Sequence, residues 1–180
     1  EAAHIVGLSM GGRIAMRFAA RYPTKVKSLC LVDTHLGFQK MDEKTRDSFI
    51  ASRKEPLLAG NETKDIAPAV AESLCSSKAI PGAKEKFIES MSYLHKVSYI
   101  KAIEASVNGD RFDEYHKIKS PTIVIVGEDD KLTPLDMAIE IQKNILDADL
   151  SVIPNAGHLS NFEQPDFFNT ALNTFLSKQL

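Results

Sequence analysis

Five residues, Gly7-Leu8-Ser9-Met10-Gly11, leave this chain little freedom. They follow the apolar run His4-Ile5-Val6. They precede a helical pattern over Gly12 to Arg21, with Ile14 and Phe18 four apart, that stops at Pro23, because proline cannot continue a helix. A strand that turns abruptly into a helix through such a segment forces the serine into a strained conformation. Glycines two residues to either side then remove side chains that would collide. Ser9 Oγ is expected to project at the carboxyl end of a sheet. The Met10 N–H, at the helix start, is expected to face a developing oxyanion. Such a turn is a nucleophile elbow.

Four short runs have strand character: Ala3 to Leu8, Ser28 to Asp33, Pro121 to Gly127 and Asp149 to Pro154. The first three are continuous Val/Ile/Leu stretches rather than alternating ones, which suits strands covered on both faces of a parallel sheet. Thr133 before Pro134 reads as an N-cap, with Met137, Ile141 and Ile145 as the buried stripe of the helix that follows. A last helix starts near Pro165, with Phe168, Leu172 and Phe175 on one face. Alternating strands and helices predict an α/β sheet.

Between the second and third strands lies a different region. Ile66, Val70 and Leu74 are spaced by four, Phe87, Met91 and Leu94 by four and three, and Asn108-Gly109 signals a helix end. The organisation expected is a core over residues 1–36, a helical insertion over 37–116, and the rest of the core over 117–180. The insertion's apolar residues, among them Phe38, Phe49 and Tyr93, read first as its own core, with some of them expected to roof a pocket.

Composition excludes several classes. Lys plus Arg number 22 against 24 Asp plus Glu, a formal net charge of -2, so the basic excess of a nucleic-acid binder is missing. No window approaches the roughly 18 apolar residues of a membrane span. Cys30 and Cys75 both sit among apolar residues and read as free thiols of a reducing compartment, which makes the cytoplasm the expected location. The His and Asp spacings suggest no metal site, and no cofactor is expected.

One rival reading attaches to the same glycines. Gly7-x-Ser9-x-x-Gly12, with Asp33 about 20 residues further on, resembles a dinucleotide fingerprint. The middle position, where backbone must approach a pyrophosphate closely, is serine here. A nicotinamide site also gives no reason for the two segments downstream. These are Gly127-Glu128-Asp129-Asp130, an acid at a strand's carboxyl end, and Asn155-Ala156-Gly157-His158, an imidazole in a loop of small residues.

The blocks HIVGLSMGGRIAMRFA, DRFDEYHKIKSPTIVIVGEDDKLTP and PNAGHLSNFEQPDFFNTALNTFL resemble the α/β-hydrolase superfamily, and the closing block is similar to its enol-lactonase and esterase branch. The resemblance implies the C-terminal part of that fold, a mostly parallel sheet flanked by helices with an inserted helical cap. It implies a triad in the chain order Ser9, Asp130, His158, with the Met10 N–H in the oxyanion hole. Asp130 fits the pattern three residues after Gly127. Asp129 is the neighbouring candidate, and Asp33 stands where some hydrolases draw their acid, its plain role being to accept from loop amides. His4, His35, His95 and His116 lack the loop and the order of His158. Glu163 is expected to tie down the His158 loop.

The function implied is cleavage of a small carboxylic ester or lactone through an acyl-serine intermediate. Thioesterase, carbon–carbon hydrolase, cofactor-free haloperoxidase or a non-catalytic ligand-binding member of the fold are the alternatives. Family members carry strands and a loop before the elbow, and that loop supplies a second oxyanion N–H. The chain reaches a core strand by Ala3, so a fragment is expected, nearly inactive alone and with the elbow strand's edge exposed.

Overall fold

The computed structural model describes residues 1–39 and 41–179. Four strands, β1 (Ala3–Leu8), β2 (Val26–Val32), β3 (Thr122–Gly127) and β4 (Asp149–Ile153), form one parallel sheet in the order β1-β2-β3-β4. β1 and β2 end together, and β3 and β4 end together two residues further on. Leu8 pairs with Val32, Val32 with Ile125, and Gly127 with Ile153.

The unbroken apolar runs of β2 and β3 follow from burial on both faces, because successive side chains of a strand point to opposite sides. Leu29, Leu31, Val124 and Val126 pack on one face with Met16, Ala19 and Ile141. Cys30, Val32, Ile123 and Ile125 pack on the other with Phe168 and Phe175. The first cluster is closed by α1 (Met10–Arg21) and α6 (Leu135–Asn144), the second by α8 (Pro165–Ser177).

Three details depart from the sequence reading. β1, expected to be covered on both faces, lies at the edge of the sheet and is exposed or half-buried along Ala3–Val6, with Val6 52% exposed. In α1 the buried residues are Gly12, Arg13, Ala15, Met16, Ala19 and Ala20, whereas Ile14 is 60% exposed and Phe18 38%. The small residues let the helix lie close to the strands, and the larger pair faces outward. Thr133 does not cap α6, whose N-cap is Pro134, because its hydroxyl donates instead to Asp130.

The chain divides into two compact units. The first comprises Glu1–Leu36, Leu74–Ile80 and Phe112–Leu180, and the second Gly37–Ser73 and Pro81–Arg111. The short segment Leu74–Ile80 therefore belongs with the sheet, although it lies in the middle of the insertion. The second unit contains α2 (Glu43–Leu58), most of α3 (Thr63–Leu74), α4 (Ala83–Ser92) and α5 (Lys96–Asn108). Asp42 caps α2 by accepting from the Thr45 N–H at 2.9 Å. Leu57, Ile66, Val70, Met91 and Val107 are buried there, and Lys54 bonds Glu104 between α2 and α5 at 2.5 Å.

Candidate active site

The turn from β1 into α1 is held at both ends. The Ser9 N–H donates to the Val32 carbonyl at 2.8 Å, continuing the ladder one step past the strand. The Ser9 carbonyl accepts from the Gly12 N–H at 3.0 Å and from the Thr34 hydroxyl at 2.6 Å. Ser9 itself has φ 53° and ψ −118°, a conformation that a residue with a β-carbon adopts only when its surroundings enforce it. At Gly7 a β-carbon would lie 2.4 Å from the Gly11 carbonyl oxygen, and at Gly12 it would lie 2.7 Å from Thr34. At Gly11 nothing lies within 4 Å of that position. The collision expected at both flanking glycines therefore occurs at Gly7, and on the helical side it falls on Gly12.

His158 enters from the loop after β4. Its Nε2 lies 2.8 Å from Ser9 Oγ and its Nδ1 2.9 Å from Asp130 Oδ2. An ionised carboxylate only accepts, so the ring proton sits on Nδ1 and donates to Asp130. Nε2 is then free to accept from the Ser9 hydroxyl. Asp130 Oδ1 accepts from the N–H groups of Leu132 and Thr133, each at 2.9 Å, and Oδ2 accepts from the Thr133 hydroxyl at 2.7 Å. The Thr133 hydroxyl also lies 3.2 Å from His158 Nδ1. Nothing in the sequence pattern marks Thr133 for this place, since its position before Pro134 reads as a cap.

Asp129 turns away, accepting from the Ser76 hydroxyl at 2.6 Å and pairing with Lys78. Glu163, wholly buried, holds the histidine loop. Its Oε2 accepts from the N–H groups of Ser76 (2.7 Å) and Gly157 (2.8 Å), and its Oε1 from that of Leu159 (3.0 Å). The His158 N–H donates to the Leu74 carbonyl at 2.9 Å. Segment Leu74–Ile80 is thus a strut for the imidazole that spacing and composition do not reveal. Among the other histidines, His4 bonds Ser28 across β1 and β2, and His95 lies beside Ser98.

Charge is arranged around the imidazole. Burial works against a charged ring at His158. The hydrogen bond and charge of Asp130, and the charges of Asp33 and Glu163, outweigh it and hold the ring above its ordinary pKa. At Asp130 burial favours the neutral acid. The hydrogen bond and charge of His158 and the Thr133 donors prevail and keep it below its ordinary value. The arrangement can accept a proton from Ser9 and hold the resulting cation. Met10 begins α1, so its N–H has no acceptor within the helix. Among the described residues no group of three His, Cys, Asp or Glu side chains could hold a metal ion, and no helix is long and apolar enough to cross a membrane.

The sequence pattern of the alpha/beta hydrolase fold matches residues 1–165. The chain belongs to the α/β-hydrolase family. This α/β-hydrolase is similar to a 2-hydroxy-6-oxononadienedioate/2-hydroxy-6-oxononatrienedioate hydrolase of Burkholderia vietnamiensis, 28% identical over 98% of this chain and 62% of the relative. A protein of the same name from Comamonas testosteroni is 31% identical over 98% of this chain and 63% of its own length. Among solved structures, the α/β-hydrolase resembles a thermophilic esterase from Thermogutta terrifontis. The TM-score is 0.82 at 26% identity, covering 99% of this chain and 65% of the esterase. The chain spans less than two thirds of the length of the curated relatives it matches, 62% of the first.

Proposed function

We propose that this α/β-hydrolase is a serine hydrolase that cleaves a small carboxylic ester or lactone. The observation that carries the reading is the unbroken relay from Ser9 Oγ through His158 to Asp130, at 2.8 and 2.9 Å, on a strained strand-to-helix turn. His158 Nε2 takes the hydroxyl proton as Ser9 Oγ bonds to the substrate carbonyl carbon. The Met10 N–H donates to the oxyanion. The proton then passes to the leaving oxygen as the carbon–oxygen bond breaks. A water activated by the same imidazole releases the acid and frees Ser9.

A second reading is favoured by the names of the relatives, which are 2-hydroxy-6-oxononadienedioate/2-hydroxy-6-oxononatrienedioate hydrolases at 28% and 31% identity. Under it the same residues cleave a carbon–carbon bond next to a ketone, and carbon rather than oxygen accepts the proton.

The test is fluorophosphonate labelling of the full-length protein with peptide mapping, followed by turnover of ester, lactone and vinylogous diketone substrates. One adduct, on Ser9, that disappears in His158→Ala supports an activated serine. The preferred substrate then separates the two readings. A folded protein that takes no label overturns both.

A further inference from the structure

Asp33 follows β2 with φ 43° and no solvent exposure. Asp and Asn tolerate that left-handed conformation best among residues with a β-carbon. Its Oδ1 accepts from the Gly127 N–H at 2.9 Å, three residues before Asp130. Its Oδ2 accepts from the Ser160 N–H at 3.0 Å and the Ser160 hydroxyl at 2.7 Å, two residues after His158. The next side chain, Thr34, donates to the carbonyl of Ser9. Two consecutive residues at one strand end thus hold the three segments that present Ser9, Asp130 and His158.

Three neutral donors do not by themselves require a carboxylate, and a carboxylate is costly to bury. Its charge acts on something else. We propose that Asp33 is a positioning residue of the Ser9–His158–Asp130 relay, joining the acid and histidine loops to β2 and stabilising by its charge the imidazolium formed when Ser9 gives up its proton. This rests on the serine-hydrolase reading above.

The charged groups that face His158 are Asp130, Asp33 and Glu163, and those that act on Asp33 are His158 and Asp130. Asp33 in turn adds to the effect of burial on the neighbouring Cys30 thiol, which is pushed up to about 12 and stays neutral. Burial raises the Asp33 carboxyl to about 6, with His158 pulling it back and Asp130 pushing it further. Each of His158 and Asp33 therefore holds the other's charge, and Asp33 is most fully ionised when the imidazolium forms. No proton passes through Asp33. The Ser9 proton moves to His158 Nε2 and from there to the leaving oxygen.

Asp33→Asn in the full-length protein removes the charge and suits the backbone. The readouts are the pH dependence of fluorophosphonate labelling at Ser9 and an NMR titration of the His158 ring. The expected result is an acid limb and a ring titration moved to lower pH by about half a unit or more, with labelling at the optimum slowed about tenfold or more. Thr34→Val, which loosens the elbow without changing charge, is expected to slow labelling and leave the limb in place. Asp33→Ser replaces Asp33→Asn if the latter does not fold. In the unmodified protein the His158 signals should also show a second inflection as Asp33 titrates. An acid limb unmoved by loss of the Asp33 charge, or a single inflection, overturns the proposal and leaves the serine-hydrolase reading standing. An unmodified protein that folds and takes no label at Ser9 overturns both.

Discussion

The α-carbon of Gly7 faces the carbonyl oxygen of Gly11 so closely that a β-carbon on Gly7 would stand 2.4 Å from it, while one on Gly11 would meet nothing. The two glycines of the motif are therefore unequal. Gly7→Ala is expected to destabilise by about 1–3 kcal/mol through overpacking against backbone and to reduce Ser9 labelling. Gly11→Ala, within the first turn of α1, is expected to be neutral or to stabilise by up to about 1 kcal/mol. Thermal melts of the two variants read the difference.

Removing the acid should disable the imidazole without dismantling the site. Asp130→Asn offers no full negative charge to the Nδ1 proton and permits the wrong tautomer. Turnover is expected to fall by about 10³–10⁴, with the His158 titration shifted down. Retained turnover would show that another group orients the ring.

Glu163 carries three backbone donors on one carboxylate, those of Ser76, Gly157 and Leu159. Glu163→Ala leaves all three without their acceptor in a buried place, at about 1–3 kcal/mol each before any water enters. A loss of more than about 3 kcal/mol in chemical denaturation is expected, with the catalytic defect following from a loosened His158 loop.

Stability and activity should peak at different pH. His158 and Asp33 bind their protons more tightly when folded. The stability they add is complete below their unfolded values, 6.5 and 3.8. It is lost as pH rises, through about 6 for Asp33 and through the raised His158 value. Asp130 works oppositely, adding stability above 3.8 that is lost as acid protonates it. The melting temperature is therefore expected to decline from pH 5 to pH 8. Labelling of Ser9, which needs a neutral imidazole, should rise over the same range. Melting curves and labelling rates measured in one buffer series check both slopes.

How much of this was legible in the sequence depended on the kind of force involved. The two central strands were legible because two-sided burial writes an unbroken Val/Ile/Leu run, and the elbow because the close approach of two backbone segments demands glycine. The outward turn of Ile14 and Phe18 was not, since helical spacing groups residues on a face without saying which face meets the sheet. Thr133 was misread because a hydroxyl before a helix can cap it or serve a nearer acceptor, and Asp130 is that acceptor. Leu74–Ile80 left no trace because its role is carried by main-chain groups, Leu74 O and Ser76 N, which every sequence possesses.

That last segment makes the insertion something other than a removable cassette. The chain leaves the sheet unit after Leu36, comes back for Leu74–Ile80, and leaves again before its final return at Phe112. Excising 37–111 in one piece would delete the carbonyl that receives the His158 N–H and one donor of Glu163. Exchange of this region between relatives therefore takes two separate grafts, 37–73 and 81–111, with the seven residues between them left in place as part of the recipient.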